Sequence, residues 1–323
     1  MQVFYDALLP KADYPKLTKY AMLTMILPPV NIIMSDFSHD FLHDFLHDFA
    51  TIDPSAPWLA PYFPIHQAYA NRPALPLFEW LNGYFADNDI ALKNHQNCPL
   101  AFTHQNDLEH GTAYETHIGQ HHKIPTRDNL HDWFGACVWS VFPHTKSLLN
   151  AKHLAHMGDN RTANGRNRVR DTITVFDENG AILVVADDEI GTTIRQALVG
   201  FDWQTCLVDN REYWADYHHD NNKKAKVFIF GHALLEQLIS PYKSLCSHTV
   251  IIKVHSSFFA KSLNEQLAML DNQLSEHLNN FLKDDITPRQ LNPLPILGAP
   301  YFWDNANPDF YDDPFVFRAG RRK

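Results

Sequence analysis

Apolar residues recur at helical spacing through the middle of the chain. In residues 129–142, NLHDWFGACVWSVF, they fall on one face of a helix, and Asp128 is well placed to cap its N-terminus. Pro143 then either kinks this helix or opens a second one that runs to His156. Similar apolar stripes predict further helices at 36–50, 76–85, 188–199, 232–240 and 262–281.

A different pattern, rich in β-branched residues, predicts the strands. Residues 172–176, TITVF, and 181–185, AILVV, flank the sequence DENG, whose Asn-Gly pair suits a tight hairpin turn. Residues 226–230 and 248–254 predict two more strands. Together the patterns predict one α+β domain over residues 36–323, with a helical N-terminal half packed on a small mixed β-sheet that contains a β-hairpin.

Residues 1–35 look like a separate extension. The apolar run from Ala21 to Met34 resembles the core of a signal sequence, but two prolines interrupt it and it is too short to span a bilayer. Met34 also offers an alternative start of translation. We therefore expect this extension to be poorly ordered or artefactual, and the protein to be soluble and cytoplasmic.

Composition narrows the classes of partner. With 45% hydrophobic and 20% charged residues the chain is globular, and its formal charge of -10 argues against a nucleic-acid partner. Its four cysteines form no CxxC pair, which offers neither a zinc cage nor a disulfide framework. We expect no membrane association, and the oligomeric state stays open.

Twenty histidines are unusually many, and three of them stand in the repeat HDFLHDFLHDF at residues 39–49. On a helix His39, His43 and His47 would lie one turn apart, where they could chelate a metal weakly. The alternative is a solvated face opposite a Phe/Leu stripe that docks on the core. We favour the docking helix.

The densest group of polar residues is PTRDNLHD, at residues 125–132. Arg127 and Asp128 lie at a helix start, where the dipole favours an anion, and His131 shares a helix face with Asp128. Capping and a structural Arg–Asp network would explain the same residues. The functional interpretation is the edge of a substrate or metal site.

Three other segments support that interpretation. His153 lies on the second helix, Arg170 and Asp171 precede the predicted hairpin, and His232 stands where a strand passes into a helix, a common place for ligands. Histidine and aspartate together could hold a divalent metal and activate water. The candidate catalytic residues are His131, Asp132, Asp171 and His232, and the candidate ligand-binding residues are Arg127, Asp128, Asn129, His153 and Arg170.

These candidates leave several functions open. The first is a hydrolase, with or without the assistance of a metal ion, that acts on a small anionic substrate. The second is a non-enzymatic module that binds an anionic ligand or a protein partner through Arg127, Arg166, Arg168 and Arg170. The third is a structural accessory protein whose ionisable pairs form interior networks.

Four segments also resemble a known family. They are PTRDNLHDWFGACVWSVFPHTKSLLNAKH, RDTITVFDENGAIL, VFIFGHALLEQL and PLPILGAPYFW. In this order, between about Pro57 and Phe317, they resemble blocks of a bacterial family catalogued as domain of unknown function 3025. The resemblance implies that the polar constellation belongs to one domain, and it carries no activity or cofactor. One departure is Gly135, where the family pattern usually has Asn.

Overall fold

A computed structural model describes residues 44–71, 75–157, 167–216, 222–283 and 285–320. The N-terminal extension and the first five residues of the HDFLHDFLHDF repeat lie outside these ranges, so the expectations about them stay predictions. Within the ranges, every helix is too short or too polar to cross a lipid bilayer.

Helices and strands alternate irregularly along the described chain. The helices are α1 (44–49), α2 (Phe63–Ala70), α3 (Leu77–Asp87), α4 (Tyr114–His121), α5 (Leu130–Val141), α6 (Pro143–Ala155), α7 (Arg168–Asn179), α8 (Glu189–Gly200), α9 (His232–Gln237) and α10 (Leu263–Phe281). The strands are β1 (Ala101–His104), β2 (Lys123–Thr126), β3 (Gly180–Ala186), β4 (Ala225–Ile229), β5 (Cys246–Val254) and β6 (Asn292–Pro295). The fold is α+β, as the sequence patterns predict.

The larger sheet has four strands in the order β4-β3-β5-β6. β3 runs parallel to β5 and antiparallel to β4, and β6 closes the other edge antiparallel to β5. All residues of β3 and β4 are buried, which fits their nearly continuous apolar sequences. β1 and β2 form a separate parallel pair, with α4 in the connection between them.

The predicted hairpin is wrong. Its first strand, TITVF, belongs to the helix α7, and its turn, DENG, is the place where α7 ends and β3 begins. Asn167 caps the helix by accepting from the backbone N–H groups of Val169 and Arg170. Val169, Ile173 and Phe176 are all buried at helical spacing, so packing on one face outweighs the β-propensity of the run.

The cap of α5 is one residue from its predicted position. Asn129, not Asp128, accepts from a backbone N–H in the first turn of α5, that of Asp132. Asp128 instead accepts from the backbone N–H of Leu77, the first residue of α3, at 2.7 Å. The two neighbouring residues therefore bind the N-termini of two different helices. Pro143 opens α6, which settles the alternative between a kink and a second helix.

An aromatic cluster holds the N-terminal helices against α5. Tyr69 packs against Trp80 and Trp133 with ring centroids 4.7 and 4.5 Å away, and Phe49 of α1 lies 5.2 Å from Trp133. In α1, Phe45 and Phe49 are buried, whereas His47 and Asp48 are exposed. The last unit of the repeat thus packs its phenylalanines on the core and leaves its histidine in solvent.

Candidate functional site

A pocket of about 390 Å³ lies where β2, α4, α5 and α6 meet the end of α7 and the start of α9. We call it the central pocket. Its ionisable lining residues are Tyr114, Glu115, Arg127, His131, Asp132, Lys146, Asp177, Glu178 and His232. Its apolar wall includes Phe102, Leu108, Ile124 and Trp139.

Two histidines and a glutamate converge at one side of this pocket. The Nε2 atoms of His131 and His232 lie 3.0 Å apart, and the Nε2 of His232 lies 3.5 Å from Oε2 of Glu178. One ligand atom from each of the three residues lies within 4.8 Å of the other two. Among the described residues, these three are the histidine, cysteine or carboxylate side chains that lie close enough together to hold one metal ion. We call it the His–His–Glu cluster.

Each histidine of the cluster also has a carboxylate on its far side. Nδ1 of His131 lies 3.0 Å from Oε2 of Glu236, and Nδ1 of His232 lies 3.9 Å from Oδ2 of Asp177. Metal-binding histidines usually have such an outer carboxylate or carbonyl, which fixes the ring orientation and the tautomer. The contact with Glu236 orients the ring of His131, whereas Nδ1 of His232 has no hydrogen-bond partner among the described residues and Asp177 acts on it through its charge.

Glycine makes this convergence sterically feasible. Gly231 immediately precedes His232, and a Cβ atom there would come within 2.4–2.6 Å of backbone atoms of Glu178, Asn179 and Gly180. The backbone N–H of Gly231 donates to the carbonyl oxygen of Gly180 at 2.8 Å. The start of α9 is thus held directly against the end of α7, which places His232 beside Glu178.

Asp177 and Glu178 occupy the last turn of α7, where the helix dipole disfavours negative charge. Lys146 of α6 compensates for this, because its Nζ lies 2.7 and 2.9 Å from the two carboxylate oxygens of Asp177. Burial by itself would raise the pKa of Asp177, but the positive charges of Lys146 and His232 outweigh it and the pKa is lowered. Asp177 is therefore a stable anion beside the cluster.

The pKa values of the two imidazoles are shifted in opposite directions. The hydrogen bond to Glu236 raises the pKa of His131, in spite of its partial burial. Burial lowers the pKa of His232, although Asp177 acts in the opposite sense. At a separation of 3.0 Å only one of the two Nε2 atoms can carry a proton, so the pair is suited to one shared proton or to one shared metal ion.

Glu115, which also lines the pocket, occupies the first turn of α4. Its Oε2 accepts from Nδ2 of Asn150 at 2.6 Å, and Asn150 is 3% exposed. Burial raises the pKa of Glu115, and the charge of Asp177 adds to the shift. Glu115 and Asp177 thus have their pKa values moved apart, as in pairs of carboxyl groups that take different roles in proton transfer.

Tyr114 stands next to Glu115 at the pocket mouth. The residue as a whole is 41% exposed, and its side chain lines the pocket. Desolvation of its hydroxyl, together with the charges of Glu115 and Asp132, raises the pKa of Tyr114 well above the ordinary value. Tyr114 is therefore a neutral hydrogen-bond donor at neutral pH.

Arg127 lies at the rim and is 54% exposed at its side chain. Its Nε and Nη2 donate to the two oxygens of Asp132 at 3.0 and 2.8 Å. Asp132 also accepts from the backbone N–H of Arg127 at 2.7 Å. The pair closes the loop between β2 and α5 and presents a guanidinium to solvent.

The central pocket brings together some of the predicted site residues and not others. Arg127, His131, Asp132 and His232 line it. Asp171 is exposed in the first turn of α7, at the opposite end of that helix from the cluster, and Asp128 and Asn129 act as helix caps. His153 and Arg170 are half-buried and do not line the pocket, although the charge of Arg170 reaches both His153 and Glu115.

Several residues of the pocket were not predicted from the sequence. They are Tyr114, Glu115, Lys146, Asp177 and Glu178, and Glu236, which contacts His131 from outside the pocket, was missed as well. Asp177 and Glu178 were hidden because DENG fits a hairpin turn. Glu236 could have been found, since it follows His232 by four residues and shares its helix face.

Comparison with known families agrees with the resemblance noted in the sequence. A family described as "Protein of unknown function (DUF3025)" matches residues 100–321. The chain belongs to this family. The matched residues include every residue that lines the central pocket, so the pocket lies wholly within the family domain. No curated protein and no solved structure matches the chain.

Proposed function

We propose that this protein is a hydrolase that uses one divalent metal ion, held by the His–His–Glu cluster, to act on a small anionic substrate. The observation that carries the proposal is the convergence of His131, His232 and Glu178 at the edge of a pocket. Three protein ligands with one side open are the arrangement of catalytic zinc sites, and two histidines with one glutamate are a known set.

The spacing of the ligand atoms fits zinc. Ligands about 2.0–2.1 Å from a tetrahedral ion lie roughly 3.3–3.4 Å from one another. The separations of 3.0 Å between the two Nε2 atoms and 3.5 Å between Nε2 of His232 and Oε2 of Glu178 bracket that value. The ligand atoms of the third pair, His131 and Glu178, lie within 4.8 Å of each other.

The surroundings support the same chemistry. Glu236 is hydrogen-bonded to His131 as an outer carboxylate that raises the basicity of a metal-binding imidazole, and the charge of Asp177 lies 3.9 Å from Nδ1 of His232. A metal ion on the open side would lower the pKa of a bound water and polarise the bond to be cut. Arg127, exposed at the rim, is the cation best placed to meet an anionic group of the substrate.

Metal analysis of the purified full-length protein tests the proposal. After exposure to zinc and exhaustive dialysis, we expect about one zinc per chain. The variants His131→Ala, Glu178→Gln and His232→Ala should each lose it, whereas His110→Ala, at an exposed histidine outside the pocket, should retain it.

The histidine repeat needs its own control. The triple variant His39→Ala/His43→Ala/His47→Ala should keep the tightly bound zinc, because the proposed site lies elsewhere. If this triple variant loses the metal and the three pocket variants retain it, the proposal is wrong. A metal-loaded protein that binds anionic ligands without turnover on ester, amide and phosphoester panels would instead support a binding module.

A further inference from the structure

The charges in the central pocket discriminate between kinds of scissile group. Four carboxyl side chains line the pocket, against two permanent cations. Each cation is already paired, Lys146 with Asp177 and Arg127 with Asp132. Sites that cleave phosphoryl groups surround them with cations that neutralise their charge. A doubly charged phosphoryl group would meet repulsion here that a neutral carbonyl group would not.

The number of metal sites points the same way. Many phosphoesterases use two metal ions about 3.5–4 Å apart. Among the described residues, the His–His–Glu cluster is the group that could bind a metal, and its three side chains provide ligands for one ion. In several peptidases a single zinc ion, bound by two histidines and a glutamate, polarises the carbonyl group of the substrate.

Glu115 is positioned for proton transfer in such a reaction. It lines the same pocket as the cluster, and Nδ2 of Asn150 donates to its Oε2 at 2.6 Å, which fixes the direction of the carboxylate. Asn150 is itself 3% exposed, so this hydrogen bond is protected from water. A half-buried carboxylate with a raised pKa is a stronger base than a solvated one.

The apolar wall offers room for the rest of the substrate. Phe102, Leu108, Ile124 and Trp139 lie along the side formed by β1, β2 and α5. Gly135 lies between this wall and His131 on α5, and a Cβ atom built there has nothing within 4 Å. A compact aromatic or branched acyl group would fill this space.

We propose that the bond cleaved is the amide or ester bond of an apolar acyl group, that the anionic group of the substrate belongs to the leaving group and faces Arg127 at the rim, and that Glu115 transfers the proton. A water molecule attacks the carbonyl carbon, so that a C–O bond forms while the C–N or C–O bond to the leaving group breaks. Glu115 takes one proton from the water and passes it to the leaving nitrogen or oxygen. No oxidation or reduction occurs. This inference rests on the proposed metal-dependent hydrolase.

Binding of non-hydrolysable probes tests the inference. Zinc-loaded full-length protein is titrated calorimetrically with benzohydroxamate, acetohydroxamate and phenylphosphonate. We expect benzohydroxamate to bind at least tenfold more tightly than phenylphosphonate, because of charge, and than acetohydroxamate, because of the apolar wall. A preference for the phosphonate in protein that carries zinc would overturn the inference and leave the proposed function standing. Failure to load zinc would reject the proposed function itself.

The Glu115→Gln variant separates proton transfer from a structural role. A hydroxamic acid gives up its proton when it binds a metal, so the variant should lose at least tenfold in affinity for benzohydroxamate while its zinc content is unchanged. Its affinity for phenylphosphonate should be equal or higher, since one negative charge is gone. Equal losses for both probes would show a structural role and overturn the assignment of Glu115. Glu109→Gln, at an exposed position outside the pocket, is the matched control.

Discussion

The Nε2 atoms of His131 and His232 lie 3.0 Å apart, although 101 positions separate the two residues in the chain. His131 is in the first turn of α5 and His232 begins α9, so the contact depends on how the two helices are placed against the sheet. Because a metal ion binds only to an unprotonated nitrogen, bringing these two atoms together favours metal binding over protonation of both rings.

Zinc should stabilise the folded protein. At a free zinc concentration of about 100 times the dissociation constant, the expected gain is roughly 2.7 kcal/mol. For a chain of this size we expect the melting temperature to rise by roughly 5 °C, measured by differential scanning calorimetry with and without a chelator. Glu178→Gln should show no such rise, and Glu109→Gln should behave as the wild type. An equal rise in all three proteins would place the stabilising metal elsewhere.

Gly231→Ala should destabilise the protein and weaken metal binding together. The new Cβ atom would approach backbone atoms of Glu178, Asn179 and Gly180 within 2.4–2.6 Å, and backbone cannot move aside as a flexible side chain can. We expect a loss of about 2–3 kcal/mol in the free energy of unfolding, measured by urea denaturation.

Gly83→Ala is the matched control for that variant. Gly83 is exposed within α3, and a Cβ atom there has nothing within 4 Å. Alanine should raise the free energy of unfolding by about 0.5–1 kcal/mol, because it reduces the backbone entropy of the unfolded chain. Equal effects of the two substitutions would show that Gly231 is not a close-packing position.

Most of the helices that bury an apolar stripe were predicted correctly from the sequence. The observed bounds of α3, α5, α6, α8, α9 and α10, and of β4 and β5, lie within three residues of the predicted ones. His131 and His232 were found because they stand at the starts of two such helices. Long periodic segments and strand-to-helix junctions carry this information locally.

The rest of the site depends on tertiary packing. TITVF has strand-forming residues, yet Asn167 caps it as a helix, and this places Asp177 and Glu178 at a helix end rather than in a turn. Glu115 and Lys146 reach the pocket only because α4 packs on α6 and α6 packs on α7. No local pattern marks them, since each is an ordinary charged residue in an amphipathic helix.

The pair Lys146–Asp177 should be strongly coupled. The side chains are only 10% and 16% exposed, so removing one partner leaves the other as a poorly solvated charge. We expect Lys146→Met and Asp177→Asn each to cost about 3 kcal/mol in the free energy of unfolding. The double variant should cost clearly less than the sum of the two, in a double-mutant cycle measured by chemical denaturation. Additive losses would mean that the two charges do not compensate each other.

Acid should destabilise the protein partly through His153. Burial, together with the charge of Arg170, lowers the pKa of His153 from 6.5 to about 4. Between these values the unfolded chain binds the proton and the folded chain does not, so stability falls as the pH drops from about 6.5 towards 4. Because His153 is partly exposed, we expect its share to be on the order of 1 kcal/mol. His153→Gln should flatten this part of the stability-versus-pH curve, and an unchanged slope would contradict the assignment.

Gly135 provides a steric test of the central pocket as a ligand site. It lines the pocket from within α5, and a Cβ atom there meets nothing within 4 Å. Gly135→Ala should therefore raise the free energy of unfolding by about 0.5–1 kcal/mol, as expected when a glycine is replaced in a helix interior. This variant should retain zinc. Gly135→Leu should also retain zinc, because Gly135 is not one of the three ligands and a Cβ atom there has nothing within 4 Å. It should nevertheless reduce the affinity of the zinc-loaded protein for benzohydroxamate at least tenfold, measured by calorimetry. Unchanged affinity in Gly135→Leu, with zinc content equal to that of the wild type, would show that ligands reach the cluster by another route.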